Sequence, residues 1–183
     1  MKALIFDKAP LSGEYEEKYF GKSTSTLWVK FETDSYEKWV GAFGNGGYGI
    51  TKVISHDDLV FVVAKGSVYL VNRNNKELIF VEDKWDFIES AIATKNPNFF
   101  IYSNCFGYKI IKNGVVIKME RPEYVDGILF TEQEGNFAVG WIDQIHQDRF
   151  YEKMYLDLNT FKLTIDESIR MDWKNLVNTN NTK

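Results

Sequence analysis

Cysteine and histidine are nearly missing from this chain: among its 183 residues stand one cysteine, Cys105, and two histidines, His56 and His146, beside only three prolines. A lone cysteine closes no intrachain disulfide. Together with the two histidines it offers fewer N and S ligands than a structural zinc site takes, and these lie far apart in the sequence. Long apolar runs are lacking too. No stretch approaches the roughly 20 residues that cross a bilayer as a helix. The opening Met1-Lys2-Ala3-Leu4-Ile5-Phe6 is cut short by Asp7, too soon for the core of a secretory leader. Positive charge is scattered: 22 Lys and Arg stand against 26 Asp and Glu, a formal net charge of -4, with no polybasic run. A nucleic-acid binder carries a basic stripe, so neither nucleic acid nor membrane is an expected partner. A reducing cytoplasm is the expected compartment.

What the chain does have is aromatic and β-branched residues. Aromatics make up 16%, while hydrophobic (44%) and charged (26%) residues are at globular levels, which argues against general disorder. Short β-rich runs recur: Leu27–Phe31, Leu59–Val63, Val68–Val71, Leu78–Val81, Phe99–Tyr102, Tyr108–Ile111 and Val115–Met119. Asn113-Gly114 between two of them is a hairpin signal, because both residues tolerate positive φ. Asp58-Leu59-Val60-Phe61, Asn98-Phe99-Phe100-Ile101 and Asn136-Phe137-Ala138-Val139 superpose with a period of roughly 40 residues, that of four-stranded propeller blades. Each unit is expected to hold three strands and a fourth apolar run, Ile88–Ala93 in one and Gly127–Phe130 in the next. Asp166 is expected to cap a short C-terminal helix with Ile169, Trp173 and Leu176 or Val177 on its apolar stripe.

The resemblance is therefore to β-propeller blades over residues 27–165. It implies an all-β, antiparallel, propeller-like fold, with a barrel or sandwich as the alternative. A single domain over residues 1–177 and a polar tail over 178–183 complete the expected organisation.

Chemical motifs are sparse. Gly44-Asn45-Gly46-Gly47-Tyr48-Gly49 matches the G-x-G-x-x-G of phosphate-cradling loops, but a strand-like run follows it where the dinucleotide fold needs a helix. A glycine-rich hairpin or bulge is the preferred reading. His56, beside Asp57-Asp58, and His146 read as surface residues, and Cys105 as an inert thiol with no activating base nearby. The pairs Glu16-Glu17, Asp57-Asp58, Glu82-Asp83 and Asp166-Glu167 could serve glycosidase chemistry only at a fixed separation across a cleft. No catalytic set, cofactor site or metal site is expected.

In the propeller-like reading, one end of the units collects Lys65–Ser67, Glu82–Asp86, Glu120–Asp126, Asp143–Arg149 and Asp166-Glu167, where acidic side chains outnumber basic ones. The candidate partner-binding residues are Glu82, Asp83, Trp85, Asp86, Glu123, Tyr124, Asp126, Trp141, Asp143 and Asp148. Carboxylates would meet a basic protein and the rings would anchor it. In size, acidity and lack of a leader or catalytic motif, the chain resembles the small immunity proteins that bacteria pair with secreted toxins. That resemblance implies a non-enzymatic binding module that occludes a basic toxin, possible nucleases included. The alternatives are a small carboxylate-dependent hydrolase and a ligand-binding β scaffold.

Overall fold

The computed structural model describes residues 2–11, 13–22, 25–82, 87–95, 98–144 and 150–172. Among them the secondary structure is all β: sixteen strands, no helix, and four sheets of four strands, none closed on itself. No described helix is long and apolar enough to cross a membrane. The chain divides into two compact units, residues 1–88 with 113–115 and residues 89–112 with 116–183.

The first unit holds two sheets. One comprises β1 (Ala3–Phe6), β2 (Glu16–Phe20), β3 (Thr26–Glu32) and β4 (Lys38–Gly44), in the order β1-β3-β4-β2, with β2 and β4 parallel. The other is an antiparallel meander of β5 (Thr51–His56), β6 (Leu59–Ala64), β7 (Ser67–Asn72) and β8 (Glu77–Glu82). Residues from both sheets build one core, including Val29, Phe31, Trp39, Phe43, Val60, Val62, Tyr69 and Val71. Phe31 stacks on Trp39 with centroids 4.1 Å apart. β6 carries apolar residues on both faces and is buried on both, which explains why its sequence is a continuous run rather than an alternation.

Arg73 ties these two sheets together. Its side chain is 1% exposed. Nε donates to the Asp57 carbonyl at 3.2 Å, and Nη1 to the Glu32 carbonyl at 3.0 Å and Asn74 Oδ1 at 3.1 Å. Nη2 donates to Asp34 Oδ1 at 2.6 Å and Asp58 Oδ1 at 3.1 Å. The Arg73 carbonyl in turn accepts from Trp39 Nε1 at 2.8 Å. A planar fork of five donors suits this convergence of three connections, β3–β4, β5–β6 and β7–β8.

The second unit holds two antiparallel meanders. The first comprises β9 (Ser90–Ala93), β10 (Phe100–Asn104), β11 (Gly107–Lys112) and β12 (Val115–Glu120). The second comprises β13 (Val125–Glu134), β14 (Phe137–Gln144), β15 (Phe150–Asp157) and β16 (Leu163–Asp172). Ile101, Tyr108, Ile110, Ile128, Phe130, Ala138, Ile142, Met154 and Leu156 belong to their shared core. Asn113 and Gly114 form the β11–β12 turn with φ of 49° and 78°, as a two-residue hairpin of this twist requires.

Two expectations need correction. The predicted C-terminal helix is a strand over its described part. Arg170, Met171 and Asp172 pair with Glu152, Tyr151 and Phe150 of β15, and cross-strand pairing outweighs the capping signal. Asp166 still acts as a cap: its Oδ1 accepts the Ser168 N–H at 3.0 Å, within an irregular stretch of β16. Trp173, Leu176 and Val177 lie outside the described residues. The repeat is also out of phase with the sheets. Ile88–Ala93 leads into the first strand of a new sheet, and Gly127–Phe130 lies in the first strand of another. Two-residue turns join β5–β6, β6–β7, β10–β11, β11–β12 and β13–β14 within single sheets, but length does not mark a sheet boundary: residues 158–162 connect β15 to β16 within one sheet, while residues 121–124 connect β12 to β13 between two.

Arg73→Met should lower the unfolding free energy by about 3 kcal/mol, read as a fall in urea midpoint at unchanged slope. Arg73→Lys should restore only part of it, and an unchanged midpoint in Arg73→Met would contradict the tie. Hydrogen bonds from Lys2, Arg73 and Asn74 hold the Asp34 carboxyl well below the usual carboxylate range. The stabilisation this gives is present above the unfolded aspartate value of about 3.9 and is lost as pH falls through the depressed native value. Asp34→Asn should therefore lose less stability than the parent between about pH 5 and 2.

Candidate functional site

In the second unit, strand register brings two predicted acidic residues together. Asp143 of β14 pairs with Gly127 of β13 on one side and Tyr151 of β15 on the other. Directly paired residues share a face, so this row is Gly127, Asp143 and Tyr151. A register shift between Val125 and Gly127 leaves Asp126 as the extra residue of a bulge beside the row. Bulges re-aim a side chain, and here the result is a second carboxylate near the first.

The third carboxyl is Glu89, one residue before β9. Its N–H donates to the Ser103 carbonyl at 2.9 Å, continuing the β9–β10 ladder. Its carboxyl accepts from the Ile128 N–H, while Oε2 is buried without a hydrogen-bond partner. Burial pushes the Glu89 carboxyl up to about 7, against the pull of the Ile128 N–H and with the added repulsion of Asp126 and Asp143. Tyr151, 7% exposed, is pushed up as well, by burial first and then by Asp143, Glu89 and Asp126. Gly127 leaves the space between them open. A Cβ there would sit 3.3 Å from the Tyr151 hydroxyl and 3.6 Å from Glu89 Oε2.

The other predicted residues are dispersed around this cluster or away from it. Glu123 and Tyr124 are exposed on the β12–β13 connection, Tyr124 at 76% and with φ of 59°. Trp141 shares the face of Asp143, one pleat along β14, but the Lys153 ammonium lies 5.2 Å from its ring centroid. Glu82 ends β8 in the first unit. Asp83, Trp85, Asp86 and Asp148 lie outside the described residues, as does His146. The reading from sequence missed Glu89, Tyr151 and Gly127. The signal for Glu89 was a carboxylate inside the apolar run Phe87-Ile88-Glu89-Ser90-Ala91-Ile92.

The remaining motifs have structural work. Asp58 and the Asp57 carbonyl engage Arg73, and Glu16 pairs with Lys76 at 2.5 Å. Asp166 and Glu167 lie within β16. His56 Nε2 is 3.6 Å from Asp57 Oδ2, and Cys105 stands in the β10–β11 turn. The glycine-rich segment joins β4 to β5 rather than turning back on itself. A Cβ at Gly46 would meet Ser67 N at 2.7 Å and the Gly66 and Lys65 backbone at 2.8 Å. Backbone packs on backbone there, which accounts for the glycine without a phosphate. Among the described residues no group of three or more His, Cys, Asp or Glu is arranged to hold a metal ion.

No protein-family model matches the chain, and no curated protein sequence matches it.

Two variants test this site and its surroundings. Gly46→Ala should destabilise by about 1–3 kcal/mol, since backbone rather than a movable side chain blocks the methyl; a neutral effect would refute the close packing. Glu89 binds its proton more tightly folded than unfolded, so stability should fall as pH rises from the ordinary 4.5 to about 7. Glu89→Gln should be more stable than the parent at pH 8, by about 3 kcal/mol at most, and not at pH 4. Parallel pH–stability curves would contradict the burial of this carboxyl.

Proposed function

We propose that the chain is a non-enzymatic protein-binding module that receives a basic protein partner, in the manner of the immunity proteins by which bacteria block their toxins. The observation that supports this reading is the gathering of Glu89, Asp126 and Asp143 at one place in the second unit, two residues from the exposed ring of Tyr124. Like charges brought close cost free energy, and a lysine or arginine placed among them relieves that cost. Asp126 and Glu123 are exposed and suited to the first encounter, and Tyr124 to anchoring. Trp141 becomes a second anchor once Lys153 swings from its ring. Four sheets of four strands are blade-sized, which supports a propeller-like arrangement as part of the same proposal. A cytoplasmic setting belongs to it as well.

Glu89 favours a second reading. A carboxyl near neutrality beside two others suits the general acid of a small carboxylate-dependent hydrolase acting on sugars. The binding reading needs only charge and shape, and it uses the exposed residues that the hydrolytic one leaves idle.

Affinity capture from the native host, followed by kinetics, tests the proposal. A stable one-to-one complex with a basic protein is expected, with association slowing steeply as salt rises. Asp126→Asn combined with Asp143→Asn should weaken it by about tenfold or more. Recovery of no partner at any expression level would sink the binding reading. Glycoside turnover lost in Glu89→Gln would establish the hydrolytic one instead.

A further inference from the structure

β13 is the end strand of its sheet, with β14 on one side only. Its other edge is satisfied by side chains instead of a strand. The Phe130 N–H donates to Ser90 Oγ at 2.8 Å, and Ser103 Oγ donates to the Ile128 carbonyl at 2.5 Å. Ser90 and Ser103 are cross-strand partners on β9 and β10, with their hydroxyls 2.5 Å apart. Since Ser103 gives its proton to Ile128, Ser90 is the donor between the two. The chain of donors runs from Phe130 through Ser90 and Ser103 to Ile128 without a missing proton. A third group on this edge, the Ile128 N–H, is taken by Glu89.

Two serines cannot change charge, and Glu89 can. Among the described residues, the charged groups acting on it are Asp126 of β13 and Asp143 of β14, and Tyr151 of β15 lies beside them. Its Oε2 is buried without a partner. The neutral carboxyl fits this place, whereas the ionised one meets two like charges and lost hydration.

We propose that Glu89 is a proton-operated clasp on β13: neutral, it closes the outer edge of the strand at Ile128 against β9; ionised, it leaves its buried place for water, pushed also by Asp126 and Asp143, and the edge at Ile128 opens toward Phe130. The inference concerns this edge alone and holds whether or not a basic partner binds nearby. Ionisation does not unfold the unit, because the shared core remains. It raises the frequency of local opening.

Amide hydrogen exchange of the intact chain, resolved at Ile128 and Phe130 by NMR and corrected for intrinsic base catalysis, tests the clasp. Between about pH 5 and 8 the protection of these amides should fall by roughly tenfold to a hundredfold, while the amides of β15 hold theirs. In Glu89→Gln the fall should vanish. Asp126→Asn, an exposed position that spares the core, should shrink it. Ser103→Ala should lower protection at every pH and leave the pH-dependent fall in place. Flat protection in the parent would overturn the clasp. So would an undiminished fall in Glu89→Gln or, should that variant fail to fold, in Asp126→Asn.

Discussion

Where two sheets share one core, the backbone groups along their seam are cut off from water and need partners that no strand supplies. The first unit meets this constraint with the Arg73 guanidinium, which gathers the Glu32 and Asp57 carbonyls and the Asp34 and Asp58 carboxylates on a single fork. Burying that cation is costly on its own, and the surrounding acceptors offset the cost. The sheets of that unit bring Phe31, Trp39 and Phe43 together with Val60, Val62 and Tyr69 in one core.

The second unit answers the same constraint with neutral hydroxyls and one carboxyl. Ser90 and Ser103 take the Phe130 N–H and the Ile128 carbonyl on the β13 edge. Glu89 takes the Ile128 N–H and stands beside Asp126 and Asp143. The two seams therefore respond differently to protons. Acid weakens the first, by protonating Asp34. Base weakens the second, by charging Glu89. A partner cation would favour the charged form that the second seam disfavours, which links recognition at the acidic cluster to the closure of β13.

Much of the strand pattern was legible because it rests on local chemistry. The runs Leu59–Val63, Val68–Val71 and Leu78–Val81 became β6, β7 and β8 with no end moved by more than one residue, and the Asn113-Gly114 turn formed where expected. Membership in sheets was not legible, since a run such as Ile88–Ala93 looks alike as the last strand of one meander or the first of the next. The Asp166 cap misled because the same carboxylate-to-amide bond serves a strand irregularity as well as a helix start. At the site, Asp126 and Asp143 were readable as acidic residues near strand ends. That they meet depends on the bulge at Asp126 and the pairing of Asp143 with Gly127, which are facts of register. Glu89 was hidden because its apolar neighbours dominate the run, although a lone carboxylate in such a run is itself the sign of a buried acid. Arg73 owes its role to contacts with connections 15 to 41 residues away.

The central claim is that Glu89 is held as a neutral carboxyl by burial and by the charges of Asp126 and Asp143. A carbon-13 NMR titration of its side-chain carboxyl measures this directly. A midpoint near neutrality is the expected result. A single midpoint in the ordinary glutamate range of about 4.3 would contradict it.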